Sequence, residues 1–127
     1  MPKQPIQTPN APAPFGAYSQ ALRAGDFVYT AGTGPWHPAT RQVAGETIEA
    51  QTEQTLENLK AVLAAAGLGM ESVVKTTIHL SDLSLFPRFN AVYARYFPDP
   101  KPVRTTVGSQ LSGILVEIDV IAYDGQN

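Results

Sequence analysis

The sequence contains no cysteine, which excludes disulfides, thiolate nucleophiles and cysteine-based zinc sites together. It also lacks any run of about 18 consecutive apolar residues, and its opening stretch, MPKQPIQTPNAPAPFG, has no signal-like apolar segment. A soluble, cytoplasmic protein with no membrane partner is the expectation. Neither sign of charge is in excess: 9 Lys and Arg stand against 11 Asp and Glu, for a formal net charge of -2. Without a basic cluster, nucleic acid is not expected as the main partner, because phosphate binding draws most of its affinity from grouped cations. His37 and His79 are the only histidines, and no HExxH, EF-hand, Gly-x-Ser-x-Gly or phosphate-loop pattern occurs. The stretch GTGPWH has two glycines of a dinucleotide fingerprint but neither the third nor a following helix. A metal site, a hydrolytic triad and nucleotide chemistry are therefore not expected.

What is present is ordinary globular composition, 43% hydrophobic and 16% charged over 127 residues, which suits one domain spanning residues 1–127. Five of the eleven prolines lie in residues 1–16, a pattern that predicts an extended arm over the domain. YSQALRAGDFVYTAG reads as a hairpin turning at Ala24-Gly25-Asp26, and the loop after it as carrying a short edge strand near Val43. From Thr47 the period becomes helical: Ile48, Thr52, Thr55, Leu59, Val62 and Ala66 form a stripe widened by Leu56 and Leu63. Thr47 suits its N-cap and Gly67 its C-terminal closure. ESVVKTTIHL alternates as a strand, with Val74, Thr76, Ile78 and Leu80 on one side. A second helix, with Leu85, Phe89, Val92 and Tyr96 on its stripe and Pro87 in its first turn, is expected to stop before Pro98. This order predicts an α+β fold, a single mixed sheet with both helices on one face. Strands such as DFVYTA and LVEIDVIAY are apolar on both faces, which points to burial of the second face in an oligomer.

Residues 101–123, KPVRTTVGSQLSGILVEIDVIAY, read as two strands joined at Ser112-Gly113. In that register Arg104 opposes Ile121 and Glu117 opposes Gly108, so the cation and the carboxylate share a face about 13 Å apart. Such spacing suits a small molecule held between them; it equally suits a surface ion pair and a solvated strand face. Glu117 and Asp119, two residues apart on one face, raise a paired-carboxylate glycosidase, which the absence of a sugar-binding cleft in the loops disfavours. Tyr18 reads as easily as a strand aromatic packing on the core.

Taken in order, APAPFGAYSQA, VYTAGTGP, QTEQTLENLKAVLAAAG, VVKTTIHLSDLSLFPRFNAVYARYF, PVRTTV and LVEIDVIA resemble the RidA (YjgF) family of reactive-intermediate deaminases over nearly the whole chain. The resemblance implies a chorismate-mutase-like fold, a homotrimer with ligand sites between subunits, and no metal or cofactor. It implies hydrolysis of 2-imino acids and their enamines, such as 2-iminobutanoate and 2-iminopropanoate, to 2-oxo acids and ammonia. It also implies roles: Arg104 as carboxylate anchor and Glu117 as water-orienting group, with Tyr18, Gly32 and Asn90 around the ligand. Thr106 stands where many members have a cysteine, and the step from Arg104 to Glu117 is two residues shorter than in typical members, so the pocket is expected to differ. Trp36 and His37 add bulk near the glycine turn. The rival reading from another class is a non-catalytic ligand-binding or chaperone-like trimer using the same clefts. RNA cleavage, also attached to the family, is the weakest reading on charge.

Overall fold

The first helix forms where its caps and period place it. In the computed structural model, which describes residues 2–125, α1 spans Ile48–Ala65. The Thr47 hydroxyl accepts the Ala50 N–H at 3.1 Å, and Gly67 closes the other end at φ +78°, a conformation costly for any residue with a β-carbon. Its inner face buries Ile48, Leu56, Leu59, Val62 and Leu63. The polar residues on that face have structural work: Gln51 accepts the Leu115 N–H at 2.8 Å, and Asn58 donates to the Gly34 and Trp36 carbonyls, both at 2.9 Å. The second helix, α2, spans Phe86–Tyr93 after a 3-10 turn at Leu83–Leu85. It stops sooner than its apolar period suggests. The chain turns through residues 94–96 before Pro98, which still brings Phe97 into the core at 2% exposure.

One six-stranded sheet runs β1-β2-β3-β6-β4-β5, from Gln4–Ile6 (β1), Ala21–Ala24 (β2), Phe27–Thr30 (β3), Val73–Leu80 (β4), Val103–Gly108 (β5) and Val116–Tyr123 (β6). The β2–β3 hairpin turns at Gly25, φ +61°, as expected. The proline-rich arm supplies β1 on the edge, and the buried Gln20 side chain ties it down, accepting the Thr8 N–H at 2.7 Å and donating to the Pro12 carbonyl at 2.8 Å. Near Val43 there is only a single bridge to Trp36. In β4 a bulge between Val73 and Lys75 turns Val74 outward and sends Val73 inward with Thr76, Ile78 and Leu80.

The expected pairing of the last two strands is overturned. β5 pairs in parallel with β4, and β6 lies between β4 and β3. Ser112-Gly113 is not a two-residue hairpin turn, because residues 109–115 wrap round the end of β4: the Ser109 N–H donates to the Leu80 carbonyl at 2.8 Å and the Ser81 N–H to the Leu115 carbonyl at 3.0 Å. Burial supplies the reason. Val116, Ile118, Val120 and Ala122 are 0–1% exposed and require neighbours on both sides, whereas β5 is nowhere fully buried and suits an edge. The β4–α2–β5 segment also makes a short parallel crossover.

Both helices cover one face of the sheet, and the core lies beneath them. The other face carries Phe27, Tyr29, Val103, Val107 and Tyr123, each 38–66% exposed, together with Lys75, His79, Glu117 and Asp119.

Candidate active site

Arg104 stands on the edge strand β5, in register with Thr76. The Thr76 hydroxyl is buried against the Tyr93 hydroxyl of α2 at 2.8 Å, so this row faces the helices. The Arg104 guanidinium donates from Nη1 to Asn90 Oδ1 at 2.7 Å and lies over the rings of Tyr93 and Phe86, 4.9 and 5.1 Å from their centroids. Phe86, Asn90 and Tyr93 are spaced i, i+4, i+7, which places them on one side of α2. Burial raises the Tyr93 hydroxyl above its usual range, against the opposing pulls of Thr76 and Arg104. Thr106 shares the Arg104 side of β5, in register with Ile78. A planar guanidinium steadied on one edge by an amide and on its face by rings can present its remaining donors to a carboxylate.

A second cluster lies across the sheet. Thr33 exchanges backbone hydrogen bonds with Ile118, at 2.8 and 2.9 Å, which lays Gly32 beside β6. The Glu117 carboxylate rests directly on Gly32: a β-carbon there would sit 2.9 Å from Glu117 Cδ and closer still to Oε2. Any side chain at this position would displace the carboxylate from its floor. Tyr18 and Gly32 line one cleft beneath the arm, and the Tyr18 hydroxyl accepts the Phe15 N–H at 3.0 Å. Tyr18 is 47% exposed, so it is not a core aromatic.

The structure therefore gathers Arg104, Asn90 and Thr106 in one place and Tyr18, Gly32 and Glu117 in another. The expectation that Arg104 and Glu117 share a face is incorrect. Arg104 registers with Thr76 and Glu117 with His79; an odd separation of three along β4 sets the two side chains on opposite faces. Within a single chain they cannot hold one small molecule. Phe86 and Tyr93 are not among the residues the sequence singles out; their i, i+4, i+7 spacing with Asn90 is the available signal.

Glu117 and Asp119 do share the open face, but the Asp119 carboxylate leans toward His79, with Oδ2 4.0 Å from Nε2. Burial raises its pKa, while His79 and Lys75 pull it down. His79 Nδ1 makes a 2.7 Å hydrogen bond with the Ser109 hydroxyl. Among the described residues no group of three or more His, Cys, Asp and Glu is arranged to hold a metal ion, and no helix is long and apolar enough to cross a membrane.

Comparison with known proteins adds a relationship. The family described as Endoribonuclease L-PSP matches residues 8–124. A RutC family protein of Pyrococcus horikoshii is 46% identical over 123 residues, covering 95% of this chain and 98% of its own. Reactive Intermediate Deaminase A of Arabidopsis thaliana, a chloroplastic protein, is 43% identical over 122 residues, covering 94% of this chain and 65% of its own. The crystal structure of RidA from the Antarctic bacterium Psychrobacter sp. superposes with a TM-score of 0.90 at 40% identity, covering 94% of this chain and 98% of that one.

Proposed function

The chain belongs to the Endoribonuclease L-PSP family, the YjgF/RidA group, and on that premise we propose that it is a deaminase hydrolysing 2-imino acids to 2-oxo acids and ammonia in inter-subunit sites of a homotrimer. The observation that carries this reading is the division of the candidate residues: a guanidinium braced by an amide and two rings at one edge, and a carboxylate laid on a glycine floor on a face still rich in exposed apolar groups. A neighbouring subunit that covers that face with its β5 edge brings the two halves together. The substrate carboxylate is taken in bidentate fashion by Arg104, which Asn90, Phe86 and Tyr93 orient, with Thr106 beside it. This fixes the C=N carbon over the Glu117 of the adjoining subunit.

Glu117 orients a water molecule and accepts its proton as the oxygen bonds to the imine carbon. That proton passes to the nitrogen to give a carbinolamine, and as its C–N bond breaks the hydroxyl proton is transferred to the departing nitrogen, so that ammonia leaves and the carbonyl of the 2-oxo acid forms. Gly32 lets the backbone approach the reacting carbon, and Tyr18 offers a hydroxyl to the amine. RNA cleavage, which the family description names, is disfavoured by the balance of 9 cations against 11 anions with no basic cluster. Cytoplasmic location is part of the same proposal.

The test generates 2-iminobutanoate and 2-iminopropanoate with an amino acid oxidase and follows residual imine by semicarbazide trapping. Wild type is expected to accelerate imine loss, and a folded Arg104→Ala variant to lower kcat/KM about a hundredfold, the loss of a charge-assisted pair of hydrogen bonds. Equal rates with and without protein reject the deaminase. Tight 2-oxo acid binding without turnover would establish the ligand-binding alternative.

A further inference from the structure

Gly34 is as tightly constrained as Gly32, by a different neighbour. A β-carbon at Gly34 would sit 2.8 Å from Trp36 Cε3 and closer still to Cζ3, so the indole occupies the space a side chain at Gly34 would need. Gly32 and Gly34 flank Thr33, whose two backbone bonds to Ile118 hold this stretch extended. Residues two apart on an extended chain present the same face at about 7 Å. The Glu117 carboxylate and the Trp36 indole thus rest against glycines two residues apart on one stretch of chain.

The indole is itself braced. Phe15 packs on it with ring centroids 4.8 Å apart, and the Arg41 guanidinium lies 4.1 Å from the Phe15 centroid while donating to the Ala13 carbonyl at 3.1 Å. Arg41 adopts φ +61°, a conformation unfavourable for a residue with a β-carbon, to make these contacts. Phe15 remains 51% exposed. Ala11, Pro12 and Ala13 continue the wall.

We infer that Trp36 and Phe15 form a side-chain subsite selecting 2-imino acids with extended apolar or aromatic side chains over the three-carbon substrate. This rests on the deaminase reading, which places the reacting carbon beside Glu117. A 2-oxo acid anchored by its carboxylate then directs its side chain along the surface from Gly32 toward Gly34. There an apolar chain exchanges water for the indole and phenyl faces, and each methylene covered strengthens binding. A methyl group is too short to reach the platform.

The test is calorimetric titration of the intact, assembled protein with the product acids 2-oxopropanoate, 4-methyl-2-oxopentanoate and 3-phenyl-2-oxopropanoate, which reads the subsite whether or not turnover occurs. Wild type is expected to bind the two larger acids about tenfold or more tightly than 2-oxopropanoate. Trp36→Ala should erase that preference and leave 2-oxopropanoate binding within about twofold of wild type. Gly34→Ala, which pushes the indole off its seat without removing it, should do the same, and serves if Trp36→Ala fails to fold. Equal affinity for all three acids overturns the inference, as does a uniform loss across them in a folded variant, or no binding of any. The parallel imine assay on wild type reports separately on the deaminase reading.

Discussion

Glu117 and Gly32 form a unit at the scale of single residues, because the carboxylate occupies the space a methyl group would need. Gly32→Ala must displace the flexible end of Glu117, a movement that costs little in folding but takes the carboxylate from its floor. We expect it to keep an unfolding midpoint close to wild type while losing imine hydrolysis to an extent approaching that of Glu117→Gln. For Glu117→Gln itself the loss should be about a hundredfold to ten-thousandfold in kcat. Circular dichroism melts beside the semicarbazide assay check both; a fully active Gly32→Ala would remove Glu117 from the mechanism. The types of residue needed for this chemistry were legible in the sequence. The contact between the two was not, since they lie far apart along the chain and meet only through the Thr33–Ile118 bridge.

At the scale of elements, α2 couples the core to the anchor. Tyr93 packs its ring under Arg104 and sends its hydroxyl to buried Thr76. Tyr93→Phe keeps the ring but leaves the Thr76 hydroxyl unpartnered in the core. The expected result is a loss of about 1–3 kcal/mol in denaturant unfolding with kcat/KM nearly unchanged. The two helices are also linked on their outer side, where Arg88 donates to both carboxylate oxygens of Glu49 at 2.7 and 2.8 Å. The Arg88 hydrogen bond lowers the Glu49 pKa to about 2. A folded-state value below the unfolded one makes this contribution complete above the ordinary carboxylate range and lost as pH falls toward about 2. The stability difference between wild type and Glu49→Gln should therefore be constant above about pH 5, narrow on acidification, and shrink in high salt because the pair is exposed. Thermal melts across pH check it; a difference that widens in acid contradicts it. The helices themselves were readable because period, caps and the Gly67 closure act within a few residues.

For the whole molecule, the placement of Arg104 and Glu117 on opposite faces has a direct consequence for assembly. If each site takes its anchor from one subunit and its carboxylate from the next, Arg104→Ala and Glu117→Gln each lower activity by about a hundredfold or more alone. Random reassortment of the two into mixed trimers should restore about a quarter of the wild-type sites. Co-refolding followed by the imine assay tests this, and absence of any recovery rejects shared sites. Light scattering at micromolar concentration should report a trimer in which the exposed Phe27, Tyr29 and Tyr123 of the open face are covered; a monomer rejects the assembly.

The sequence by itself determined the α+β class, the extent and caps of α1, the Gly25 hairpin and the family, because periodicity, capping and turn chemistry are local and motif order runs along the chain. It also singled out Arg104 and Glu117 as charged groups set among largely apolar strand residues. Only the tertiary structure decided which strands they adjoin and which way each side chain points. Alternation fixes faces within a strand, but the relation between two strands depends on the partner that burial selects. Here the fully buried row of β6 required a central place, which inserted β4 between the two strands and turned an expected shared face into opposite ones.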